Sequence, residues 1–287
     1  MLNSNTRPLT IEERSTRKQD TAASPWGDYR PSRLQQSLIW AARRSFLHRG
    51  KLRHQMTNII AKMKSPIDVK FRDCRYRIDG KNNLAEYGLL LNPKFNKAEI
   101  DFLTGDLQDG GVAVDIGCNI GLYTLPMALK CGQHGRVLAI DANPGMCERL
   151  AENARLSEMP QIIPVCAAVG ENDGRVDLLI TKNDVAIVKV LESANGSIPM
   201  RSLLSIVNEH RIEKIDALKI DIEGFEDAAL VPFFNVVSED LLPKRIVIER
   251  GTPDGYNQGC RSLFNSNGYK LIGTTQNNDM YLRSKQS

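Results

Sequence analysis

The stretch Val112–Thr124, VAVDIGCNIGLYT, constrains the chain more than any other. Val112 to Ile116 read as a buried strand, Gly117 and Gly121 bracket a tight turn, and a helix runs from Leu122 to about Lys130. Strand, glycine turn and helix open a nucleotide-type βαβ unit. A glycine in such a turn lets the backbone pass close to a ligand that a Cβ would strike. Asp115, at the strand end, narrows the choice of ligand. Phosphate wants backbone N–H groups and a helix N-terminus without a carboxylate beside them. No Gly-Lys-Ser/Thr follows the turn, and G-x-N-x-G is not the three-glycine dinucleotide spacing. The ligand end at this turn is therefore expected to be cationic. S-adenosylmethionine fits, with its ammonium and sulfonium. The candidate cofactor contacts are Asp115, Gly117, Cys118, Asn119, Gly121, Tyr123 and Thr124. A glycine turn that only packs a helix on a sheet is the plain alternative.

A second strand, Arg136–Ile140, puts Asp141 at its carboxyl end, where an acid can accept both ribose hydroxyls of an adenosine. Ala142 and Asn143 lie beside it, and Asn143-Pro144 also reads as a helix cap with a first-turn proline. A third strand, Gln161–Cys166, runs into Ala167 and Ala168, small residues that leave room for a flat ring or simply pack. Residues 175–191 read as a hairpin turning at Lys182-Asn183-Asp184, and Pro199 is expected to open a helix carrying Leu203, Leu204 and Val207. The second chemical centre is DALKIDIEGFE, residues 216–226. Its buried strand ends at Asp221, with Glu223, Gly224 and Glu226 in the turn and helix start that follow. Glu226 suits a helix N-terminus. Glu249 ends a fifth strand, Lys244–Glu249. Clustered carboxylates raise one another's pKa, so they call for a purpose. Asp221, Glu223 and Glu249 are the candidate catalytic residues, as a general base for a hydroxyl, or with Asp221 and Glu249 holding Mg²⁺.

A helix over Asn257–Asn267, stopped by Gly268, and a hairpin around Asn277-Asn278-Asp279 close the chain. The alternation predicts an α/β fold, a mostly parallel sheet with right-handed crossovers and helices on both faces. A final antiparallel strand at 280–282 is typical of methyltransferases rather than dehydrogenases.

Ahead of this core, residues 1 to about 30 are polar and aperiodic, and read as a disordered or loosely attached tail. Residues 31–67 form a basic helical extension. From Tyr29 to Ile67 there is no acid, against Arg30, Arg33, Arg43, Arg44, Arg49, Lys51, Arg53, Lys62 and Lys64. Leu52, Met56, Ile59 and Met63 recur at helical spacing. Such a helix packs on a domain with a solvated basic face, or lies on an anionic membrane; nucleic acid is not expected, for lack of interleaved aromatics. Residues 68–111 are a lead-in, with a hairpin turning at Asp79-Gly80 and a helix over Asn96–Leu107. Glu99 in that helix reads as a surface carboxylate, or as one reaching the cofactor side. Six scattered cysteines without a C-x-x-C pair, no spanning run and no signal-peptide core point to a cytoplasmic protein with reduced thiols.

VDIGCNIGLYT, AIDANP, AAVG, LKIDIEGFE and IVIER, in that order, resemble the FkbM-type class I methyltransferases over Val112 to about Thr275. The resemblance implies a seven-stranded Rossmann-like domain over residues 112–287 that uses S-adenosylmethionine, commonly to methylate hydroxyls of sugars, glycans, polyketides or related metabolites. It implies that Asp115, Gly117, Asn119 and Gly121 line the methionine end, Asp141 the ribose, and Asp221 with Glu223 the reaction side. Asp141 stands where relatives usually have Glu, and Cys118 where they usually have Ala. An N-methyltransferase usually carries an Asn/Asp-Pro-Pro-Tyr-like loop, where this chain has Asp221-Ile222-Glu223-Gly224. A non-catalytic cofactor-binding scaffold working through its basic segment is the other alternative.

Overall fold

The computed structural model describes residues 24–80, 83–180, 188–192, 196–250 and 257–284. In chain order come helices α1 (Arg33–Arg44) and α2 (Gly50–Met63), strands β1 (Ile67–Phe71) and β2 (Cys74–Ile78), and helices α3 (Leu84–Leu91) and α4 (Lys97–Thr104). The core alternates as β3 (Val112–Ile116), α5 (Thr124–Cys131), β4 (Arg136–Asp141), α6 (Pro144–Leu156) and β5 (Ile162–Cys166). A side sheet follows, with β6 (Ala168–Gly170), β7 (Gly174–Ile180), β8 (Val188–Glu192) and β9 (Ile198–Ser202). Then come α7 (Leu203–Glu209), β10 (Ala217–Ile220), α8 (Glu226–Phe234), β11 (Arg245–Glu249), α9 (Gln258–Ser266), β12 (Tyr269–Thr274) and β13 (Asn278–Arg283).

The main sheet has seven strands in the order β12-β13-β11-β10-β3-β4-β5, and its parallel pairs bring the ends of β3, β4, β10 and β11 to one edge. β13 runs antiparallel to both β11 and β12, the reversed strand expected near residue 280. Two apolar cores sandwich the sheet. One packs Leu125, Ala128 and Leu150 under the N-terminal elements, and the other packs Ile206, Leu230 and Phe264 from α7, α8 and α9. Strands buried on both faces read as continuous apolar runs, which is why β3 and β10 are legible in the sequence.

The N-terminal segment is part of the first core rather than an appendage. Ile39, Ile60, Ile67 and Phe71 join the cluster that contains Ala113 and Leu125. Gln35 Nε2 donates to the carbonyls of Ile60 and Lys64, and Arg43 Nε to that of Leu90. Of the expected tail, residues 1–23 lie outside the described residues. Residues 24–30 are held down, with Gly27 N donating to Asp68 Oδ2 at 2.7 Å and Asp68 N to Tyr29 O.

Four local expectations are corrected. The β1–β2 hairpin turns at Arg72 and Asp73, both with positive φ (49° and 63°), and not at Asp79-Gly80. A two-residue turn of that hand matches the twist of the flanking strands. Gly80 N instead donates to Glu86 Oε2, and α3, capped by Asn83, occupies the stretch after it. Pro199 lies within β9 opposite Arg175, and the helix starts at Leu203 because Ser202 Oγ caps Ser205 N. Glu99 is buried, accepting from Thr275 Oγ1 at 2.6 Å, so it ties α4 to the β12–β13 turn. In α2 the buried residues are Thr57, Ile60 and Ala61, whereas Leu52, Ile59 and Met63 are exposed. The expected hairpin over 175–191 is present as β7 and β8, and its turn, 181–187, lies outside the described residues.

Candidate active site

Asp115 and Lys219 are register partners on adjacent parallel strands, so their side chains share one face of the sheet. Both are essentially inaccessible to solvent. Asp115 Oδ2 accepts from Thr124 Oγ1 at 2.5 Å, while its Oδ1 is buried with no partner among the described residues. Burial pushes the Asp115 carboxyl up to about 6, against the Thr124 hydrogen bond and the Lys219 charge. The Lys219 ammonium sits 3.1 Å from Asp221 Oδ2, donates to Ile220 O at 3.0 Å and lies 5.1 Å from the centre of the Tyr123 ring. Tyr123 is buried, and its hydroxyl accepts from Asn96 Nδ2. Thr124 and Tyr123 thus stand behind the turn, positioning the two charges.

The turn is fixed by the neighbouring loops. Gly117 N and Cys118 N both donate to Ile140 O, and Cys118 is buried. A Cβ on Gly117, at φ 77°, would lie 2.0 Å from the carbonyl oxygen of Asp221. Here glycine serves a close approach of two protein loops, where the sequence alone suggested approach to a ligand. A Gly117→Ala variant is expected to lose at least about 1 kcal/mol of stability and to displace Asp221. Thermal denaturation together with turnover checks this, and a variant with unchanged melting and turnover would refute it. A Cβ on Gly121, at φ 95°, would meet Leu125 and Leu150 side chains, so that glycine seats α5 against α6.

Asp141 clamps two loops. Its Oδ2 accepts from Asn119 N and its Oδ1 from Asn143 N, both at 2.8 Å. Burial pushes its carboxyl up to about 6 in spite of those two bonds. Each oxygen keeps a lone pair, and the residue is half-buried, so a hydroxyl donor can still reach it. Ala142 is half-buried beside it. Asn143 is buried and caps α6 through Gly145 N. Ala167 N donates to Asp141 O, and Ala167 and Ala168 are buried where β5 gives way to β6.

Opposite this half, Asp221, Glu223 and Glu249 each offer an oxygen within 4.8 Å of the others. Glu226, fully buried, holds their loop by accepting from Ile222 N and Gly224 N at 2.9 and 3.0 Å. Burial, then the charges of Asp221, Glu223 and Glu226, push the Glu249 carboxyl up to about 8, against Lys219. Its Oε2 is buried without a partner among the described residues.

Sequence reasoning missed three supporting residues. Lys219 stood out only as a charge inside the apolar run ALKI, two residues before Asp221. Asn83 donates to Asn119 Oδ1 at 2.9 Å and so braces the turn at its positive-φ residue. Asn96 acts through Tyr123, and neither asparagine carries a readable signal.

An acid at each of four adjacent strand ends, a glycine turn and one reversed strand define the class I methyltransferase architecture. A family model described as the methyltransferase FkbM domain matches residues 115–271, and the chain belongs to that family. The chain is 31% identical over 83 residues to a protein-L-isoaspartate O-methyltransferase of Caenorhabditis elegans, covering 29% of this chain and 37% of that one. It is 27% identical over 197 residues to the tRNA(Phe) (4-demethylwyosine(37)-C(7)) aminocarboxypropyltransferase of Methanocaldococcus jannaschii, covering 65% of this chain and 64% of that one. It thus spans less than two thirds of the length of either relative. Among solved structures, an S-adenosylmethionine-dependent O-methyltransferase of Thermotoga maritima aligns with a TM-score of 0.41 at 13% identity, covering 68% of this chain and 67% of that one. The unpartnered Asp115 Oδ1 and the half-open Asp141 suit the ammonium and ribose of S-adenosylmethionine, the cofactor expected from the sequence. No helix among the described residues is long and apolar enough to cross a membrane.

Proposed function

We propose that the chain is an O-methyltransferase acting on a hydroxyl of a small molecule or glycan, with Glu249 as general base. The observation that carries this reading is Glu249, which brings a buried Oε2 with no partner among the described residues to the sheet edge beside Asp221 and Glu223. Burial and those charges push its carboxyl up to about 8. Bound S-adenosylmethionine supplies an electrophilic methyl carbon. Asp115 and Asp141 would hold its methionine and ribose ends. The ionised Glu249 takes the acceptor's hydroxyl proton as the oxygen attacks, and a catalytic group works best when its pKa is near the operating pH. Asp221, pinned by Lys219, orients the acceptor. Three carboxylates at the reacting centre repel a polyphosphate backbone, which favours a neutral acceptor over nucleic acid.

The test is the pH dependence of kcat/KM with a hydroxylated glycan panel and labelled methyl donor. As a base, Glu249 must be ionised, so the rate should climb as pH rises through about 8. Glu249→Gln should lower turnover roughly 10²-fold or more and abolish that limb. A limb that survives in the variant would move the base elsewhere. Loss of turnover in EDTA, restored by Mg²⁺, would assign Asp221 and Glu249 to a cation instead. Label entering tRNA, and no hydroxylated small acceptor, would overturn the acceptor class.

A further inference from the structure

We propose that the N-terminal helices form a peripheral docking surface for an anionic lipid bilayer, with the outer stripe of α2 as its apolar centre. The helix α2 turns most of the stripe its sequence marks away from the core, and of that stripe only Met56 packs against it, half-buried. Its buried side is the small and mixed set Thr57, Ile60 and Ala61, while Leu52, Ile59 and Met63 are between 39% and 51% exposed. These three are spaced i, i+7 and i+11, so they form one stripe along the helix. Lys51 and Lys62 line one edge of the stripe, and both are exposed. Phe46, just ahead of the helix, is 68% exposed. Six of the eleven large apolar side chains exposed among the described residues fall between Leu34 and Met63. An apolar stripe along one helix marks an interaction surface, whereas single exposed apolar residues are ordinary.

Charge identifies the partner. The exposed apolar residues lie in a stretch, residues 29–67, that holds no Asp or Glu, and its Arg44, Arg49, Lys51, Lys62 and Lys64 are all exposed. Arg44 also lies over the exposed Trp40 ring at 4.5 Å. A helix with lysines along the edge of an apolar stripe can sink that stripe to the acyl boundary while its ammonium groups reach lipid phosphates. Nucleic acid would use the charges and could stack on Trp40 or Phe46, but it would leave the aliphatic stripe of Leu52, Ile59 and Met63 uncovered. A second copy docking by two-fold symmetry would bring each Lys51 and Lys62 towards its own kind, with no acid in the segment to relieve them. A bilayer satisfies both halves of the surface.

The test uses the full chain and flotation with vesicles of phosphatidylcholine alone or phosphatidylcholine mixed with phosphatidylglycerol. Wild type should float with the mixed vesicles only, and less so as salt rises. Lys51→Gln with Lys62→Gln should weaken binding about fivefold per charge removed. Leu52→Ser, Ile59→Ser and Met63→Ser together should weaken it by roughly tenfold or more. All five side chains are exposed, so unchanged melting and cofactor binding are expected and certify the fold. Failure of wild type to float, equal flotation of the stripe variant, or equal binding to neutral vesicles would overturn the proposal. So would a wild-type dimer in solution that the stripe variant dissociates, or tRNA binding lost with the stripe.

Discussion

A Lys219→Met chain is expected to lose about 3 kcal/mol of stability near neutral pH, the cost of leaving a buried charge uncompensated. Lys219 is inaccessible to solvent, level with Asp115 across the strand pair and 3.1 Å from Asp221 Oδ2. It holds down the carboxyls of Asp115, Glu226 and Glu249 together. Without it, Asp115, already pushed up to about 6 by burial, keeps its proton to still higher pH. A folded-state carboxyl with a raised pKa binds protons more tightly than the unfolded chain does. Its penalty is therefore absent below the unfolded pKa of about 4 and grows as pH climbs towards the folded one. The loss in Lys219→Met should accordingly be small at acid pH and largest on the alkaline side. Urea unfolding at the two ends of that window reads it, with Lys219→Arg as the partial rescue. A loss of the same size at both ends would mean that Lys219 is only packing.

The second large effect is on cofactor binding. Asp115→Asn keeps the shape of the side chain and an oxygen to accept the Thr124 hydroxyl, but removes the charge. Affinity for S-adenosylmethionine should fall roughly 10²-fold, the range found when one member of a desolvated charge pair is removed. S-adenosylhomocysteine lacks the sulfonium but keeps the ammonium, so it should weaken by the same factor if Asp115 faces the ammonium. In wild type, only ionised Asp115 attracts a cation. Affinity should therefore decline as pH drops through about 6, and the variant should lose that dependence. Titration calorimetry across that range settles both points. Undiminished affinity in Asp115→Asn would remove Asp115 from the site.

Much of this architecture is written locally. The run Val112–Ile116 is apolar but for Asp115, Arg245–Glu249 is apolar between its charged ends, and Ala217–Ile220 is apolar but for Lys219, because parallel strands covered on both faces need largely apolar residues. An acid that breaks such a run at the carboxyl end is conspicuous, so Asp115, Asp141, Asp221 and Glu249 could be picked out one by one. The turns were harder. Asp79-Gly80 carries a strong hairpin signal, yet Arg72 and Asp73 make the turn and Gly80 serves Glu86. Turn propensity is a local preference, and a carboxylate arriving from a helix overrides it.

What the sequence by itself determined is the alternation of strands and helices, the glycine turn and the acids at the strand ends. All of these arise from side-chain periodicity and backbone freedom within a dozen residues. Tertiary structure alone decided which groups meet. Gly117 is needed because the Asp221 carbonyl, more than a hundred residues away, passes where its Cβ would lie. Lys219 acquires its role only from its register with Asp115, and Glu249 its high pKa only from burial among three other carboxylates. The outward stripe of α2 is decided in the same way. Gln35, Gly80 and Tyr87 belong to other segments, and their contacts with Ile60, Ala61 and His54 decide which face of the helix meets the core. Periodicity sets the stripe, and only the neighbours set its direction.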